Sequence, residues 1–408
     1  MNSETKQINA CEVCNSTKLE KVLDLGLHPM CDDLVKFQEK KICKEYPIEI
    51  LFCNKCKTAH QKYQIQKESL FPGNYHYRAR FTKDVIDGMK SLVKSSSSYF
   101  LDKTNRKVLD IGCNDGSLLN LYREIGYKTI GIEPTDAFKD CQKNGHDVYN
   151  EYLSEKLATK IVSKYGHPDL VTFTNVFAHI DDLKQVLRSL KILMHENTIL
   201  IIENHYLGSV LKKNQFDTFY HEHPRTYSLS SFKYIASSLN SKVIKNKFPS
   251  RYGGNIQVFI SKNGVESENL EKDISNEKDF SIQFKKLNEN VQKWIKNKSN
   301  QISQATFNNE KLVAKAFPGR ASILVKLLKL DDNKIEAVYE KPGSLKIGNY
   351  LPGTRIPIVS DDELFKKIES TSLILNLAWH IPDEISKYLT NKKYKGKILN
   401  IIDRSDFN

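Results

Sequence analysis

The sequence predicts an α/β protein of three parts: a small cysteine-bound N-terminal domain, a Rossmann-like middle domain and a smaller C-terminal α/β domain. Three observations carry this. Strand-like and helix-like stretches alternate from residue 107 onward, which is the pattern of parallel βαβ units. Two C-x-x-C pairs, Cys11/Cys14 and Cys53/Cys56, lie ahead of them. A polar helical stretch, residues 266–310, separates the middle of the chain from a last strand-and-helix series at 311–408.

Lys107 to Thr135 organises the middle domain. Val108-Leu109-Asp110-Ile111 is a short apolar strand, and Gly112 and Gly116 free the backbone for a sharp turn. Ser117 to Ile125 places Leu118, Leu119, Leu121, Tyr122 and Ile125 at helical spacing. Thr129 to Ile132 is the next buried strand, with Glu133 at its carboxyl end and Pro134 after it. Ligands of parallel sheets bind at the carboxyl ends of the strands, and an acid about 20 residues after the turn can accept ribose hydroxyls. The turn is D-x-G-x-x-x-G, not G-x-G-x-x-G. Asp110 and Asp115 make it negative, which suits a cationic or zwitterionic ligand better than a pyrophosphate. S-adenosylmethionine, with a sulfonium, an amino-acid end and a ribose, meets that description; NAD is the runner-up. Asp110, Gly112, Asn114, Gly116, Glu133, Pro134 and Asn175, just past the strand 168–173, are the candidate cofactor residues.

Each C-x-x-C forms a knuckle presenting two thiolates, and two knuckles complete a tetrahedral zinc site. Cys11, Cys14, Cys53 and Cys56 are the expected ligands, and four thiolates leave no open position, so the zinc is read as structural. His60 is a weaker candidate for substitution into the set. The 38 residues between the pairs exceed a usual zinc-ribbon gap and are read as a hairpin excursion. Domain limits follow as 1–70 for the zinc domain, 71–265 for the middle domain, 266–310 for a connecting helix and 311–408 for the last domain. Phe280, Phe284, Leu287, Val291 and Trp294 make a seam along that helix.

The remaining chemistry gathers in Phe219-Tyr220-His221-Glu222-His223-Pro224-Arg225-Thr226-Tyr227. Two imidazoles and a carboxylate this close offer a general base, its orienting partner and hydrogen-bond donors. Upstream, Tyr75-His76-Tyr77-Arg78 is a tyrosine-rich turn suited to the lip of a pocket or to core packing. A net charge of +13 suits an anionic substrate such as a nucleotide diphosphate, or reflects a lysine-rich solvated surface. No dense basic cluster interleaved with aromatics suggests nucleic acid. No run of 18 apolar residues suggests a membrane span, and no apolar leader is seen, so a cytoplasmic monomer or homodimer is expected.

Taken together, the two cysteine pairs, VLDIGCNDGSLL, GIEPT, NVFAHIDDL, the Tyr-His-Glu-His run, RYGGNIQVFI and GNYLPGTRIPI resemble the sugar C-methyltransferases of deoxysugar pathways. The resemblance spans essentially the whole chain. It implies a class I methyltransferase middle domain that binds S-adenosylmethionine. It also implies a nucleoside-diphosphate 4-keto-deoxysugar substrate, held between the middle and C-terminal domains and methylated at C3 through an enediolate. By the same resemblance His223 is the base, Tyr220 and Glu222 flank it, His179 matches a histidine of the F-A-H segment, and Tyr75 or Tyr77 faces the sugar. The chain departs from the family at Pro224-Arg225, where a reshaped sugar pocket is expected. It departs also at His380 after Trp379 and at the turn Phe317-Pro318-Gly319-Arg320. The alternative reading is an O-methyltransferase acting on a nucleotide-activated sugar or a surface-polysaccharide precursor.

Overall fold

The computed structural model describes residues 5–70, 78–100, 102, 105–307 and 311–407. The chain divides into two compact units. One comprises Met1–Glu20, Leu51–Lys213 and Glu222–Ser281; the other comprises Lys21–Ile50, Asn214–His221 and Ile282–Asn408.

The first unit is built on a seven-stranded sheet. Its order is Lys242–Lys247, Asn255–Ser261, Ile199–His205, Leu170–Thr174, Lys107–Ile111, Lys128–Ile132 and Asp147–Tyr149. The last five of these run parallel, and Asn255–Ser261 joins Ile199–His205 antiparallel, with Ile202 opposite Val258. Parallel strands must be covered on both faces, which is why they read as continuous apolar runs. Along Lys107–Ile111 the side chains alternate: Leu109 and Ile111 join one core with Leu157, Ile161, Leu190 and Phe232, while Val108 joins another with Leu92, Leu118, Leu119 and Tyr122. The chain leaves Lys107–Ile111 in one direction and returns on the other side as Leu170–Thr174. Their carboxyl ends therefore form the switch point where ligands of such sheets bind.

Local chemistry sets the flanking helices. Ser154 accepts a hydrogen bond from the amide of Leu157 at 3.2 Å and so caps Glu155–Tyr165. Asp182 does the same for Leu183–Leu193 through the amide of Gln185 at 2.9 Å. The cysteine knuckles belong to this unit too. Strand Thr58–Gln61 follows the second knuckle and pairs antiparallel with Arg225–Thr226, setting His60 opposite Arg225.

The second unit holds another seven-stranded sheet. Its order is Lys397–Asn400, Leu373–Asn376, Leu312–Lys315, Ile335–Glu340, Pro357–Ser360, Asn349–Tyr350 and Val35–Lys36. The final strand comes from the excursion between the two cysteine pairs, with Val35 opposite Tyr350. Two residues of strand carry no alternation to read, so nothing in the residue pattern signals this pairing. Strand Leu312–Lys315 stops where Ala316 takes a φ of +61°. The turn that follows packs on Asp217, which accepts from Arg320 Nε at 3.3 Å and Trp379 Nε1 at 2.9 Å. The polar stretch expected as one connecting helix holds two, Leu270–Ser275 and Phe280–Ala305, and the seam residues Phe284, Leu287, Val291 and Trp294 of the longer one are all buried. Trp294 donates its ring N–H to the carbonyl of Ile401 at 2.8 Å. Among the described residues no helix is long and apolar enough to cross a membrane.

Candidate active site and metal centre

The turn after Lys107–Ile111 is held by backbone bonds. The amides of Gly112 and Cys113 both donate to the carbonyl of Ile132, at 2.8 and 3.1 Å. Gly112 sits at φ +73°, and a Cβ there would fall 2.5 Å from Cγ2 of Val176. Asn114 and Asn175 also take positive φ, +49° and +54°, a conformation asparagine tolerates better than most residues. Gly116, at φ +80°, ends the turn against Cys141 and His146.

Glu133 lies under this turn, 5% exposed. Its Oε2 accepts from the Asn114 amide at 2.9 Å, and its Oε1 from the Thr135 amide at 2.9 Å and the Thr135 hydroxyl at 2.6 Å. A carboxylate offers about four acceptor positions, so these three bonds leave room for roughly one ribose hydroxyl rather than two. Pro134 stands between Glu133 and Thr135 and keeps that loop from continuing the strand. Burial raises the Glu133 carboxyl above its ordinary value. Asp110 is pushed up to about 7, first by burial, against the 2.6 Å bond from the Thr172 hydroxyl and with the nearby Glu133 charge adding to the rise. Asp115 spends its charge locally: it accepts from the Arg80 amide at 3.0 Å and from the Ser117 amide and hydroxyl at 3.1 and 2.6 Å. The negative turn expected from the two aspartates is thus weakened at both: Asp115 is spent within the turn and burial leaves Asp110 only partly ionised at pH 7.

Asn175 accepts on its Oδ1 from Asn255 Nδ2 at 3.1 Å. The same Asn255 nitrogen donates at 3.0 Å to Glu203, which is fully buried and also takes Gln257 Nε2 at 2.7 Å and the Arg251 guanidinium. Arg251 lies so close over Gly88 that any side chain at that position would overlap it.

The four cysteine sulfurs converge, all within 4.8 Å of one another. Cys11 and Cys56 approach to 3.4 Å and Cys14 and Cys53 to 3.5 Å. Zn–S bonds of about 2.3 Å in a tetrahedron put sulfurs about 3.8 Å apart, so the set fits the ion. Accepting from Cys11 pulls the Cys53 thiol far down, and the same contact pushes Cys11 up to about 12, since adjacent thiolates repel. A divalent cation at the centre removes that repulsion. His60 is buried but is not part of the cluster among the described residues.

Three imidazoles meet at the carboxyl edge of the sheet. His223 is 4% exposed. Its ring lies 4.7 Å from that of His179 and 5.6 Å from that of His205, measured between centroids. His179 donates its Nδ1–H to the backbone carbonyl of Glu222 at 2.8 Å, which fixes the tautomer and leaves Nε2 as the acceptor. Burial holds His179 down to about 4 despite that bond, so it is neutral at pH 7. Glu222 itself is buried. The unit boundary falls inside the Tyr-His-Glu-His run: Tyr220 and His221 are counted with the second unit, Glu222 and His223 with the first. His221 does not join the imidazoles; its Nε2 bonds the Tyr46 carbonyl at 3.1 Å. Tyr220 is partly exposed. Tyr75 and Tyr77 lie outside the described residues.

Arg225 is not a pocket residue. It is fully buried, its Nε donates to the Tyr227 hydroxyl at 2.9 Å, and its guanidinium meets Glu12 of the first knuckle and the carbonyls of Ile180 and Asp181. It ties the zinc knuckle to the loop after His179. His205 is the member of this group that sequence reasoning passed over. Its position at the carboxyl end of Ile199–His205 is the signal that could have found it.

This fold and site define an S-adenosylmethionine-dependent methyltransferase carrying a four-cysteine zinc centre. Residues 11–71 match the family described as "Putative zinc binding domain", residues 81–246 that described as "Methyltransferase domain", and residues 250–401 that described as "C-methyltransferase C-terminal domain". The three matches follow one another along the chain in this order. C-methyltransferase NovU of Streptomyces niveus is 25% identical over 94% of this chain and 93% of its own length. Among solved structures, magnesium protoporphyrin IX methyltransferase of Synechocystis PCC 6803 with bound SAM shares 13% identity over 43% of this chain and 79% of its own, with a TM-score of 0.32. A SAM dependent methyltransferase from Archaeoglobus fulgidus shares 16% over 43% of this chain and 93% of its own, with a TM-score of 0.34. Both likenesses are too slight to carry weight.

Proposed function

We propose that the protein methylates C3 of a nucleoside-diphosphate-linked 4-keto-deoxysugar, with His223 as the base. The observation that carries this is the buried His223 imidazole, flanked by a neutral His179 whose tautomer is fixed by the Glu222 carbonyl. A C–H bond is a poor nucleophile, so carbon methylation needs a positioned base, whereas the sulfonium already supplies a leaving group. The name C-methyltransferase borne by the 25% identical relative supports a carbon acceptor. The motif resemblance and the net charge of +13 support an anionic nucleotide sugar.

S-adenosylmethionine, when bound, supplies the electrophilic methyl group. Glu133 and the turn Asp110–Gly116, with Pro134 and Asn175, are the residues that would hold it. The substrate ketone acidifies the C3–H. His223 takes that proton as the enediolate forms, which leaves C3 nucleophilic toward the donor's methyl group. His179 and Glu222 stand beside the base in this reading, and the roles of Tyr220 and of Tyr75 or Tyr77 rest on the motif resemblance alone. The zinc contributes folding energy and no chemistry.

The test is His223→Ala assayed with labelled S-adenosylmethionine and a panel of nucleotide-linked 4-keto sugars. Turnover is expected to fall at least about 100-fold while S-adenosylhomocysteine affinity stays within about threefold. Unchanged turnover removes His223 as base. Turnover with sugars lacking a ketone turns the assignment to O-methylation.

A further inference from the structure

We infer that Arg225 is the positioning residue of the base: its guanidinium sets the spacing of His223 and His179 and anchors both to the first cysteine knuckle. The inference rests on the reading of His223 as base. His223 lies in a turn, with no helix or strand of its own to hold it. A base must stand within hydrogen-bond reach of the proton it takes, so groups outside the turn have to fix it. Its two chain neighbours are both fixed. The Glu222 carbonyl accepts the His179 Nδ1–H at 2.8 Å, and the Pro224 carbonyl accepts the Gln61 amide at 2.9 Å. Gln61 ends the strand Thr58–Gln61, which starts two residues after Cys56 and pairs with Arg225–Thr226.

Arg225 closes this arrangement. It stands two residues beyond His223, and its Nη2 donates to the carbonyl of Ile180, the residue after His179. Both terminal nitrogens also reach the Asp181 carbonyl, at 3.4 Å. A circuit results: from His223 along the backbone to Arg225, across the guanidinium to Ile180, back one residue to His179, and over 4.7 Å between ring centroids to His223 again. Nη1 donates to Glu12, which lies between Cys11 and Cys14 and also accepts from Gln64 Nε2 at 2.7 Å. Nε donates to the Tyr227 hydroxyl at 2.9 Å, so every guanidinium nitrogen has an acceptor. All these residues belong to the first unit. A charge buried this completely gains little stability over apolar side chains of the same volume, so what the network adds is direction. Arginine's planar fork can hold a carboxylate and two carbonyls at once; a lysine ammonium carries the charge without the fixed directions. Arg225 touches no reacting atom and acts through the two imidazoles, where a misplacement of about 1 Å can cost about 100-fold in rate.

The test is Arg225→Lys in the full-length zinc-bound protein. Glu12→Gln is a milder second variant, which keeps the fork on Ile180 and Asp181 in case the lysine disturbs folding. Ser231→Ala is the structural control: its hydroxyl bonds the Cys56 carbonyl at 3.2 Å, on the same ribbon but away from the imidazoles. Sites are counted by calorimetric titration with S-adenosylhomocysteine and zinc by elemental analysis. Rates per counted site are then measured on a 4-keto nucleotide sugar carrying hydrogen or deuterium at C3. Positioning predicts that kcat per site falls at least about tenfold in Arg225→Lys and about threefold in Glu12→Gln. The deuterium isotope effect rises in both, because the proton step has slowed, while KM and S-adenosylhomocysteine affinity stay within about twofold. Ser231→Ala loses stability in denaturant and keeps its kcat per site. A merely structural role would lower the number of sites and leave kcat per site and the isotope effect unmoved; that result in either variant overturns the inference. His223→Ala with full turnover overturns the base reading, and the positioning role with it. A slowed His223→Ala beside full-speed Arg225→Lys and Glu12→Gln keeps the base and overturns the positioning role alone.

Discussion

Gly112→Ala probes the turn on which the cofactor account stands. Two costs arise. An L-residue in the left-handed region at φ +73° costs about 1–2 kcal/mol. The new methyl would also sit 2.5 Å from one Val176 methyl and 2.8 Å from the other, closer than carbon atoms approach, and forcing such overpacking costs about 1–3 kcal/mol. The sum is about 2–5 kcal/mol. Val176 cannot yield freely, because Asn175 beside it is bonded to Asn255 and through it to buried Glu203. The displacement therefore crosses the switch point, and part of the cost should appear in cofactor affinity, where 1.4 kcal/mol is tenfold. Urea denaturation and calorimetric titration with S-adenosylhomocysteine measure both parts. The double variant with Val176→Ala should recover the overpacking share and keep the backbone share, giving a coupling of about 1–3 kcal/mol in the mutant cycle. A single variant within about 0.5 kcal/mol of wild type, or a cycle without coupling, refutes the reasoning.

Arg225→Ala leaves Glu12 with only Lys6 and Gln64 and strips the Ile180 and Asp181 carbonyls of their donor, so stability should fall by about 3 kcal/mol in denaturant; a loss under about 1 kcal/mol contradicts the network. Cys53→Ser should lose zinc by elemental analysis and lose folding stability, since structural zinc contributes to folding outright; a soluble, active, metal-free variant would speak against that. Mild acid should destabilise the protein through three buried histidines, offset in part by Asp110, whose carboxyl at about 7 takes up a proton first in the folded state. Burial holds His146, His179 and His221 down to about 4, against about 6.5 in an unfolded chain. The unfolded state therefore binds more protons between those values, and stability present above pH 6.5 is lost as pH falls toward 4, by about 1–2 kcal/mol per histidine at pH 5. Urea midpoints that stay level from pH 7 to pH 5 would contradict this.

Much of this was legible in the sequence for physical reasons. Strands buried on both faces must be apolar throughout, so Lys107–Ile111 and Lys128–Ile132 announce themselves, and a glycine turn between them has few uses. Two C-x-x-C knuckles have a geometry that suits one ion. Other parts were hidden because they depend on partners far along the chain. Arg225 abuts the proposed base in sequence, which suggested a pocket role; in space its guanidinium is spent on Glu12, more than two hundred positions earlier. Val35–Lys36 joins the C-terminal sheet with too few residues to show alternation. His221 and His223 are alike in sequence, and only the Tyr46 carbonyl bonded to one and the His179 and His205 rings beside the other separate them.

Carbon-13 NMR of the product made with methyl-labelled S-adenosylmethionine puts the central claim to its plainest test. A methyl resonance in the aliphatic region, one-bond coupled to a sugar ring carbon that has lost its hydrogen, is what base-assisted attack through His223 predicts. A methoxy resonance on an intact ring would show that oxygen is the acceptor and contradict the carbanion account.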